Sequence, residues 1–406
     1  MKFQTLISSL LAMSFAASLP VHAGPDKALL AASTTESGAL VATLEKLVRI
    51  ESGSRDAAGL AALAGLLESE LKALGMQVRR DAGGNVVGSM QGKGGSHVLL
   101  MAHMDTVYPA GALAGAPFRI EGARAYGPGV ADAKGGIALI LHAVKLLRTA
   151  QWRDIGSLTV LFNNDEETGS QASQALIQSL AAQADYVLSF EPNMAGQEGF
   201  TLGTSGVANV TVDIQGKAAH AGMAPEAGVN ALVEAADLVE RTAGLDDRAA
   251  GLRFNWTGMQ AGAAANVIPD RARMSADLRF ATNEQADAAI GELEQLAQRK
   301  KLAASEVKLT VQRGRPAFNA GAAGRTLTEE AASIYAEAGG RIAIVPRVGG
   351  GTDAAFAALS GKPVLEGLGL PGAGIHGSAA EYVDLDAVPR RLYLAVRLIR
   401  DLGRRR

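Results

Sequence analysis

Several strands predicted from the sequence end in side chains that can bind a metal ion. The apolar run "LLMAH" ends at His103 and is followed by Asp105, and the run "VLFNNDEE" ends at the adjacent carboxylates of Glu166 and Glu167. A third run, "VLSFE", ends at Glu191. Ligand sites in open α/β sheets lie beyond the carboxyl ends of the strands, so we expect these side chains to converge.

Two further candidate ligands lie in predicted loops. Asp132 stands in "GPGVADAKGG", and His376 stands in "LPGAGIHGSAAEYVD". Taken alone, each candidate is more often a structural or solvated residue than a metal ligand. Taken together, several buried carboxylates would cost several kcal/mol each or become protonated unless a cation compensates them. A divalent metal ion removes that penalty.

The types of the candidate ligands limit the choice of metal. Two imidazoles with three carboxylates, and no thiolate, favour zinc or another borderline divalent cation over calcium or magnesium. Such a set exceeds the three protein ligands that are typical of a single catalytic zinc ion. A carboxylate that bridges two ions about 3.5–4 Å apart accounts for the larger number. The residues therefore predict a two-metal site.

The order of predicted elements indicates the fold that positions these residues. Helices and strands alternate after the first residues, which is typical of an α/β layer structure. The segment 57–75 has leucines at helical spacing, and the predicted strands at 97–103, 158–164 and 185–192 are apolar on consecutive positions. Strands of that kind are covered on both faces, as in a mostly parallel sheet.

The pattern changes from about Gly206. Alternating strands and two helices follow in the order β-α-β-β-α-β, which is the ferredoxin-like pattern of two helices on one face of an antiparallel sheet. A chain of 406 residues is also too long for one ordinary core. We therefore predict a catalytic α/β domain formed by 24–205 and 316–406, with an inserted domain at 206–315.

The first residues have the composition of an export signal. Lys2 precedes an apolar stretch that is too short to span a bilayer, and small residues lead up to Ala23. We predict a signal peptide at 1–23, no stable membrane insertion, and a periplasmic or secreted location; a buried N-terminal helix is the alternative. The formal charge is −2, with scattered basic residues and no cysteine, so nucleic-acid binding and disulfides are not expected.

The candidate residues also stand in a series of motifs that resembles a known family. The motifs "HMD", "GPGVADAKGG", "NDEETG", "SFEP", "AAHAG", "GGGTDAA" and "GAGIHG" are similar, in this order, to those of the dinuclear zinc exopeptidases and amidohydrolases of the aminoacylase and carboxypeptidase group. Longer motifs such as "ADYVLSFEP", "RGRPAFNAG" and "AEYVD" resemble the bacterial glutamate carboxypeptidases within that group. The likeness extends from about residue 40 to the last residues.

The resemblance implies a role for each candidate. One zinc ion would be bound by His103, Asp132 and Glu191. The other would be bound by Asp132, Glu167 and His376, so that Asp132 bridges the two; Co²⁺ or Mn²⁺ would substitute for zinc. Glu166 would be the general base and acid, and Asp105 would hydrogen-bond the His103 imidazole. The resemblance further implies a cis peptide bond between Asp132 and Ala133.

The inserted domain would complete the site. The resemblance implies that His220 reaches the zinc site of the other subunit and stabilises an oxyanion, which requires a homodimer formed through the inserted domain. Arg315, Arg279 and Asn266 would bind the glutamate portion of the substrate, because arginine can bind a carboxylate through two hydrogen bonds.

The expected function is therefore that of a dimeric two-zinc carboxypeptidase. It would release C-terminal glutamate from N-acyl-glutamates such as folates, or from peptides. An aminoacylase or deacylase of another N-acyl amino acid would use the same metal chemistry with a different side-chain pocket. A non-catalytic metal-binding or amino-acid-binding protein is a third alternative, and the presence of all five ligands together with Glu166 argues against it.

Overall fold

The structure is a computed structural model that describes residues 24–192 and 198–405. The predicted signal peptide at 1–23 lies outside the described residues. Within the described part of the chain, no helix combines the length and the apolar character needed to cross a membrane.

The described residues form these α-helices: α1 (Lys27–Val48), α2 (Ala57–Ala73), α3 (Ala112–Gly115), α4 (Gly136–Thr149), α5 (Gln174–Gln183), α6 (Ala231–Arg241), α7 (Asn283–Gln298), α8 (Gly321–Glu337), α9 (Ala354–Ala358) and α10 (Val388–Gly403). They form these strands: β1 (Gln77–Arg80), β2 (Val86–Gln91), β3 (His97–His103), β4 (Arg119–Glu121), β5 (Arg124–Tyr126), β6 (Ser157–Asn163), β7 (Tyr186–Ser189), β8 (Gly199–Thr201), β9 (Gly203–Thr204), β10 (Gly206–Gln215), β11 (Ala219–His220), β12 (Arg253–Ala261), β13 (Val267–Ile268), β14 (Arg271–Phe280), β15 (Glu306–Arg313), β16 (Phe318–Asn319), β17 (Ala343–Val345), β18 (Val364–Glu366), β19 (Gly372–Ala373) and β20 (Tyr382–Asp384).

The largest sheet is mixed, with strand order β1-β2-β6-β3-β7-β18-β8-β17. Its central strands β6, β3, β7 and β18 are parallel neighbours, as the apolar runs predict. Strand β3 shows why both faces are buried. Leu100 and Ala102 pack in a core with α1, α4 and α10, whereas Leu99 and Met101 pack in a second core with α5 and α9. Helices therefore cover the sheet on both sides, and the α/β prediction is confirmed.

A second, antiparallel sheet has the strand order β12-β14-β10-β15. Its strands alternate between buried and exposed positions, so that Val210 and Val212 of β10 contact a core shared with Leu238 of α6 and Leu293 of α7. The chain order β-α-β-β-α-β and the helices on one face match the predicted ferredoxin-like pattern. The exact domain limits, 205/206 and 315/316, stay a prediction.

Candidate metal centre

The main sheet brings three of the candidate ligands to one edge. His103 is the last residue of β3, Glu167 follows β6, and Glu191 follows β7. Because these strands are parallel neighbours, their carboxyl ends meet at the same edge. The other two candidates come from irregular segments: Asp132 lies in the turn before α4, and His376 lies between β19 and β20. The expected cis peptide bond between Asp132 and Ala133 is present in that turn.

The five side chains form two overlapping groups. The His103 Nε2 atom lies 2.9 Å from Asp132 Oδ1 and 3.4 Å from Glu191 Oε2. The His376 Nε2 atom lies 3.3 Å from Asp132 Oδ2 and 3.2 Å from Glu167 Oε1. Each group offers three ligand atoms within 4.8 Å of one another, and Asp132 contributes one oxygen to each group. The donor set of imidazole nitrogen and carboxylate oxygen therefore fits two divalent ions with Asp132 between them.

The buried carboxylates of this centre require a compensating positive charge. Burial raises the pKa of Glu191 to about 7. Burial also raises the pKa of Asp132, but hydrogen bonds with His103 and His376 outweigh it, so that the pKa falls below its usual range. Hydrogen bonds with Asp132 and Glu167 raise the pKa of His376 to about 10. In the metal-free protein, protons on the histidines thus compensate the carboxylates, and metal ions would displace those protons.

Asp105 forms hydrogen bonds with residues at or just after the ends of two of the ligand-bearing strands. The His103 Nδ1 atom lies 2.9 Å from the backbone oxygen of Asp105 and 3.4 Å from its carboxylate, which leaves Nε2 directed at Asp132 and Glu191. The Asp105 carboxylate also accepts the backbone N–H groups of Glu166 at 3.0 Å and Glu167 at 3.1 Å. This buried carboxylate therefore fixes the histidine and the acidic pair relative to each other.

Glu166, adjacent to Glu167, contacts a buried arginine. Its carboxylate forms an ion pair with Arg315, whose guanidinium also lies 3.1 Å from Asp353 and donates to the Glu166 backbone oxygen at 2.7 Å. Burial raises the pKa of Glu166 well above its usual range, although the charge of Arg315 acts in the opposite direction. A carboxylate with a raised pKa beside a metal centre suits proton transfer near neutral pH.

The three remaining predicted residues lie away from these groups. His220 is exposed on β11, and its Nδ1 accepts the backbone N–H groups of Gly222 and Met223, each at 3.1 Å. Asn266 is its neighbour, because β11 pairs with β13 and the Asn266 backbone oxygen accepts the Ala221 N–H. Arg279 on β14 pairs with Asp277 at 2.9 Å. Within the described part of the chain, none of the three has a recorded contact with the two ligand groups.

The sequence reasoning gave no role to Glu381, which the structure places beneath Asp132. Its buried carboxylate accepts the backbone N–H groups of Gly129 at 3.0 Å, Ala131 at 2.8 Å and Asp132 at 3.0 Å. The Tyr108 hydroxyl donates to the same carboxylate at 2.8 Å. Glu381 therefore holds the turn that presents Asp132. Glu381 stands in the motif "AEYVD", which could have marked it as a functional residue. Nothing in that motif indicates hydrogen-bond partners some 250 residues earlier.

Asp353 was also missed as a residue in its own right. It lies in "GGGTDAA", and it accepts hydrogen bonds from Asn163, Ser170 and Arg315, all of them buried or partly buried around Glu166. The side chain of this aspartate anchors Arg315.

A mixed α/β sheet that gathers two overlapping histidine and carboxylate groups at its strand ends has the arrangement of a two-metal hydrolase. The family model for peptidase family M20/M25/M40 matches residues 99–401, and the chain belongs to this family. It is 57% identical to carboxypeptidase G2 of Pseudomonas sp. (strain RS-16), over 98% of each chain. It is 27% identical to a succinyl-diaminopimelate desuccinylase of Novosphingobium aromaticivorans, over 58% of this chain and 68% of the relative.

Two solved structures have a fold similar to that of this chain. The aminopeptidase PepT of Bacillus cereus superposes with a TM-score of 0.76 at 23% identity, covering 90% of this chain and 98% of that one. A dinuclear metal-binding M20 peptidase of Bacillus subtilis superposes with a TM-score of 0.66 at 16% identity, covering 92% and 99%. At these identities the likeness concerns the fold alone.

Proposed function

We propose that this protein is a zinc-dependent carboxypeptidase that hydrolyses the amide bond to a C-terminal glutamate of N-acyl-glutamates such as folates. The observation that carries the proposal is the shared Asp132 carboxylate, with one oxygen directed at each of two histidine and carboxylate groups. The 57% identity to carboxypeptidase G2 over nearly the full length supports the reaction class.

The proposed ligands of the two ions are those of the two groups. His103, Asp132 and Glu191 would hold one ion, and Asp132, Glu167 and His376 would hold the other. When bound, the ions supply a Lewis-acidic centre that lowers the pKa of water and polarises the scissile carbonyl. Zinc suits the nitrogen and oxygen ligands, and Co²⁺ or Mn²⁺ would replace it in the same geometry.

The chain supplies the proton transfer. Glu166 is adjacent to Glu167, and its backbone is held by the same Asp105 carboxylate that orients His103. In the proposed mechanism Glu166 takes the proton from the attacking water and returns it to the leaving nitrogen of glutamate. Its burial and its raised pKa favour both halves of this transfer.

Residues outside the main sheet would provide specificity and oxyanion stabilisation. Arg279 and Asn266 would bind the carboxylates of the glutamate portion, and Arg315 would contribute from the side of Glu166. His220 would donate to the oxyanion in the centre of a partner subunit, in a homodimer formed through the inserted domain. Its exposure and the position of Asn266 beside it are consistent with a surface that acts on another subunit.

The protein would work in the periplasm or outside the cell, after cleavage of the signal near Ala23. This location follows from the sequence pattern of 1–23. A deacylase of another N-acyl amino acid is the second candidate, because a desuccinylase is among the relatives in the same family.

A substrate panel tests the proposal directly. Zinc-loaded protein is assayed on pteroyl-glutamate, N-benzoyl-glutamate, N-acetyl-leucine, N-acetyl-ornithine and N-succinyl-diaminopimelate, and the free amino acid is measured. We expect release of glutamate to exceed release of the other amino acids by at least tenfold in kcat/KM, which corresponds to about 1.4 kcal/mol. Preferential release of leucine, ornithine or diaminopimelate would replace the proposal by the deacylase alternative.

A further inference from the structure

The loop between α1 and α2 is attached to the segment that follows β3. The Ser54 N–H donates to the Thr106 backbone oxygen at 3.0 Å, and the Thr106 N–H donates to the Ser52 backbone oxygen at 2.9 Å. These two bonds form a short parallel bridge between Gly53 and Thr106. All the candidate site residues lie later in the chain, so the fold brings this loop to the centre from a separate segment.

The loop can approach this closely because residue 53 is a glycine. A Cβ atom at Gly53 would lie 2.3 Å from the Tyr108 backbone oxygen, which is closer than real Cβ atoms come to a neighbour. At the start of the loop, the buried ammonium of Lys134 donates to the Ile50 backbone oxygen at 2.8 Å. Lys134 stands two residues after Asp132. The loop is therefore fixed to two segments that carry proposed metal ligands.

The Ser54 side chain extends this contact into the centre. Its hydroxyl donates to Asp105 Oδ2 at 2.8 Å and lies farther, at 3.3 Å, from the Thr106 backbone oxygen. A hydrogen bond to an ionised acceptor is about twice as strong as a neutral one, so the carboxylate is the main acceptor. Asp105 is buried, whereas Ser54 is half-buried. A hydroxyl from outside the sheet thus completes the partners of a buried carboxylate.

The Asp105 carboxylate contacts both groups of proposed metal ligands. Its Oδ1 atom accepts the Glu166 N–H at 3.0 Å and lies 3.4 Å from His103 Nδ1. Its Oδ2 atom accepts the Glu167 N–H at 3.1 Å in addition to the Ser54 hydroxyl. His103 belongs to one ligand group and Glu167 to the other. Because loss of the hydroxyl would leave Oδ2 with a single donor, the carboxylate could then rotate and change its contacts with both groups.

We propose that Ser54 is a positioning residue for the metal centre, which acts through the Asp105 carboxylate and thereby sets the affinity for both ions. This inference rests on the ligands named in the proposed function and does not depend on the substrate. It adds a residue of the loop before α2 to the support of the centre. It also predicts that one hydroxyl changes both ligand groups together.

The test is a zinc titration of the full-length protein, first freed of metal, in competition with a fluorescent chelator. Ser54→Ala removes the hydroxyl and Ser54→Thr retains it, whereas Gly53→Ala disturbs the approach of the loop. Ser52→Ala and Gly65→Ala are the matched controls. The buried Ser52 hydroxyl has no hydrogen-bond partner among the described residues, and a Cβ atom at Gly65 would meet only the Arg80 side chain, at 3.7 Å.

We expect Ser54→Ala and Gly53→Ala to raise the Kd of both zinc ions by about tenfold, at the low end of the range for groups that support metal ligands. Ser54→Thr and the two controls should keep wild-type Kd values. The melting temperature of the metal-free protein is measured in parallel. A lower melting temperature of Ser54→Ala with unchanged Kd values would show a purely structural role and overturn the proposal.

Two other results would also overturn it: weaker binding of only one ion in Ser54→Ala, or the same loss of affinity in Ser54→Thr as in Ser54→Ala. Failure of the wild-type protein to bind two zinc ions would reject the proposed ligands, and this inference with them. Absence of glutamate release by the wild-type protein would reject the proposed substrate alone, because the zinc titration does not require turnover.

Discussion

The edge of the main sheet and the β11–β13 ribbon of the inserted region differ in how they hold their functional side chains. At the sheet edge His103, Asp105 and Asp132 are buried, and each has several polar partners. On the ribbon His220 and Asn266 are exposed. Among the described residues, the His220 ring accepts backbone N–H groups of the following turn, and the Asn266 backbone oxygen accepts the Ala221 N–H across the ribbon. The first region is organised within one chain. The second lacks such buried polar partners among the described residues, and its role in a partner subunit is part of the proposal.

The largest expected effect concerns proton transfer at the sheet edge. Glu166→Gln should lower kcat by about 10²–10⁴-fold, because general acid and base catalysis contributes that much, while the bound metal stays unchanged. Steady-state kinetics and metal analysis by mass spectrometry measure the two quantities. Asp165→Asn, at the acidic residue directly before Glu166 in the same turn, is the control and should retain most activity. Near-wild-type turnover by Glu166→Gln would remove its assigned role.

The second largest effect is expected at His220 on the β11–β13 ribbon. His220→Ala should lower kcat by about 10²–10³-fold, as loss of an oxyanion donor does, without a change in metal content. His97→Ala, an exposed histidine that contacts Ser157, serves as the control.

Mixing subunits sharpens this comparison. In the proposed homodimer, unfolding and refolding His220→Ala together with Glu166→Gln would produce hybrid dimers. One centre of each hybrid has its own Glu166 and receives an intact His220 from the partner subunit, so activity should return. Activity that stays at the level of the separate variants would show that His220 acts within its own subunit or has no role.

A smaller effect, on metal affinity, is expected at Glu381, whose carboxylate supports the turn that carries Asp132. Glu381→Gln replaces a carboxylate that accepts three backbone N–H groups and should weaken metal affinity about 10–100-fold, as loss of a supporting partner does. Competition with a fluorescent chelator measures the affinity. Asp384→Asn, at the end of β20 three residues later and in an exposed ion pair with Arg124, is the control. Equal metal affinity in both variants would mean that Glu381 supports the fold only.

The smallest effect is on stability as a function of pH. The folded metal-free protein holds extra protons, because the pKa of Glu191 is raised to about 7 and that of His376 to about 10. Stability from a raised pKa is present at low pH and is lost as pH rises through the folded value. The melting temperature of chelator-treated protein should thus fall from pH 5 to pH 9, and zinc should remove this slope. A rise in the melting temperature of the metal-free protein over that range would contradict the raised pKa values of Glu191 and His376.

The comparison also explains which parts the sequence could predict. Apolar runs placed β3 at 97–103 and the parallel strands beside it, because strands covered on both faces leave a continuous apolar pattern. That topology in turn brought His103, Glu167 and Glu191 to one edge. The periodicity of the sequence did not predict the hydrogen bonds of Glu381 or the ion pair of Arg315 with Glu166, because each contact joins segments that are distant in sequence. The direction of such side chains depends on loop geometry that no local pattern encodes.

The central claim is that two ions share the Asp132 carboxylate. Anomalous diffraction at the zinc edge from crystals of the zinc-loaded protein tests it most directly. We predict two peaks about 3.5–4 Å apart, one beside His103 and Glu191 and the other beside Glu167 and His376, with Asp132 between them. A single peak, or two peaks of which one lies away from Asp132, would contradict the account.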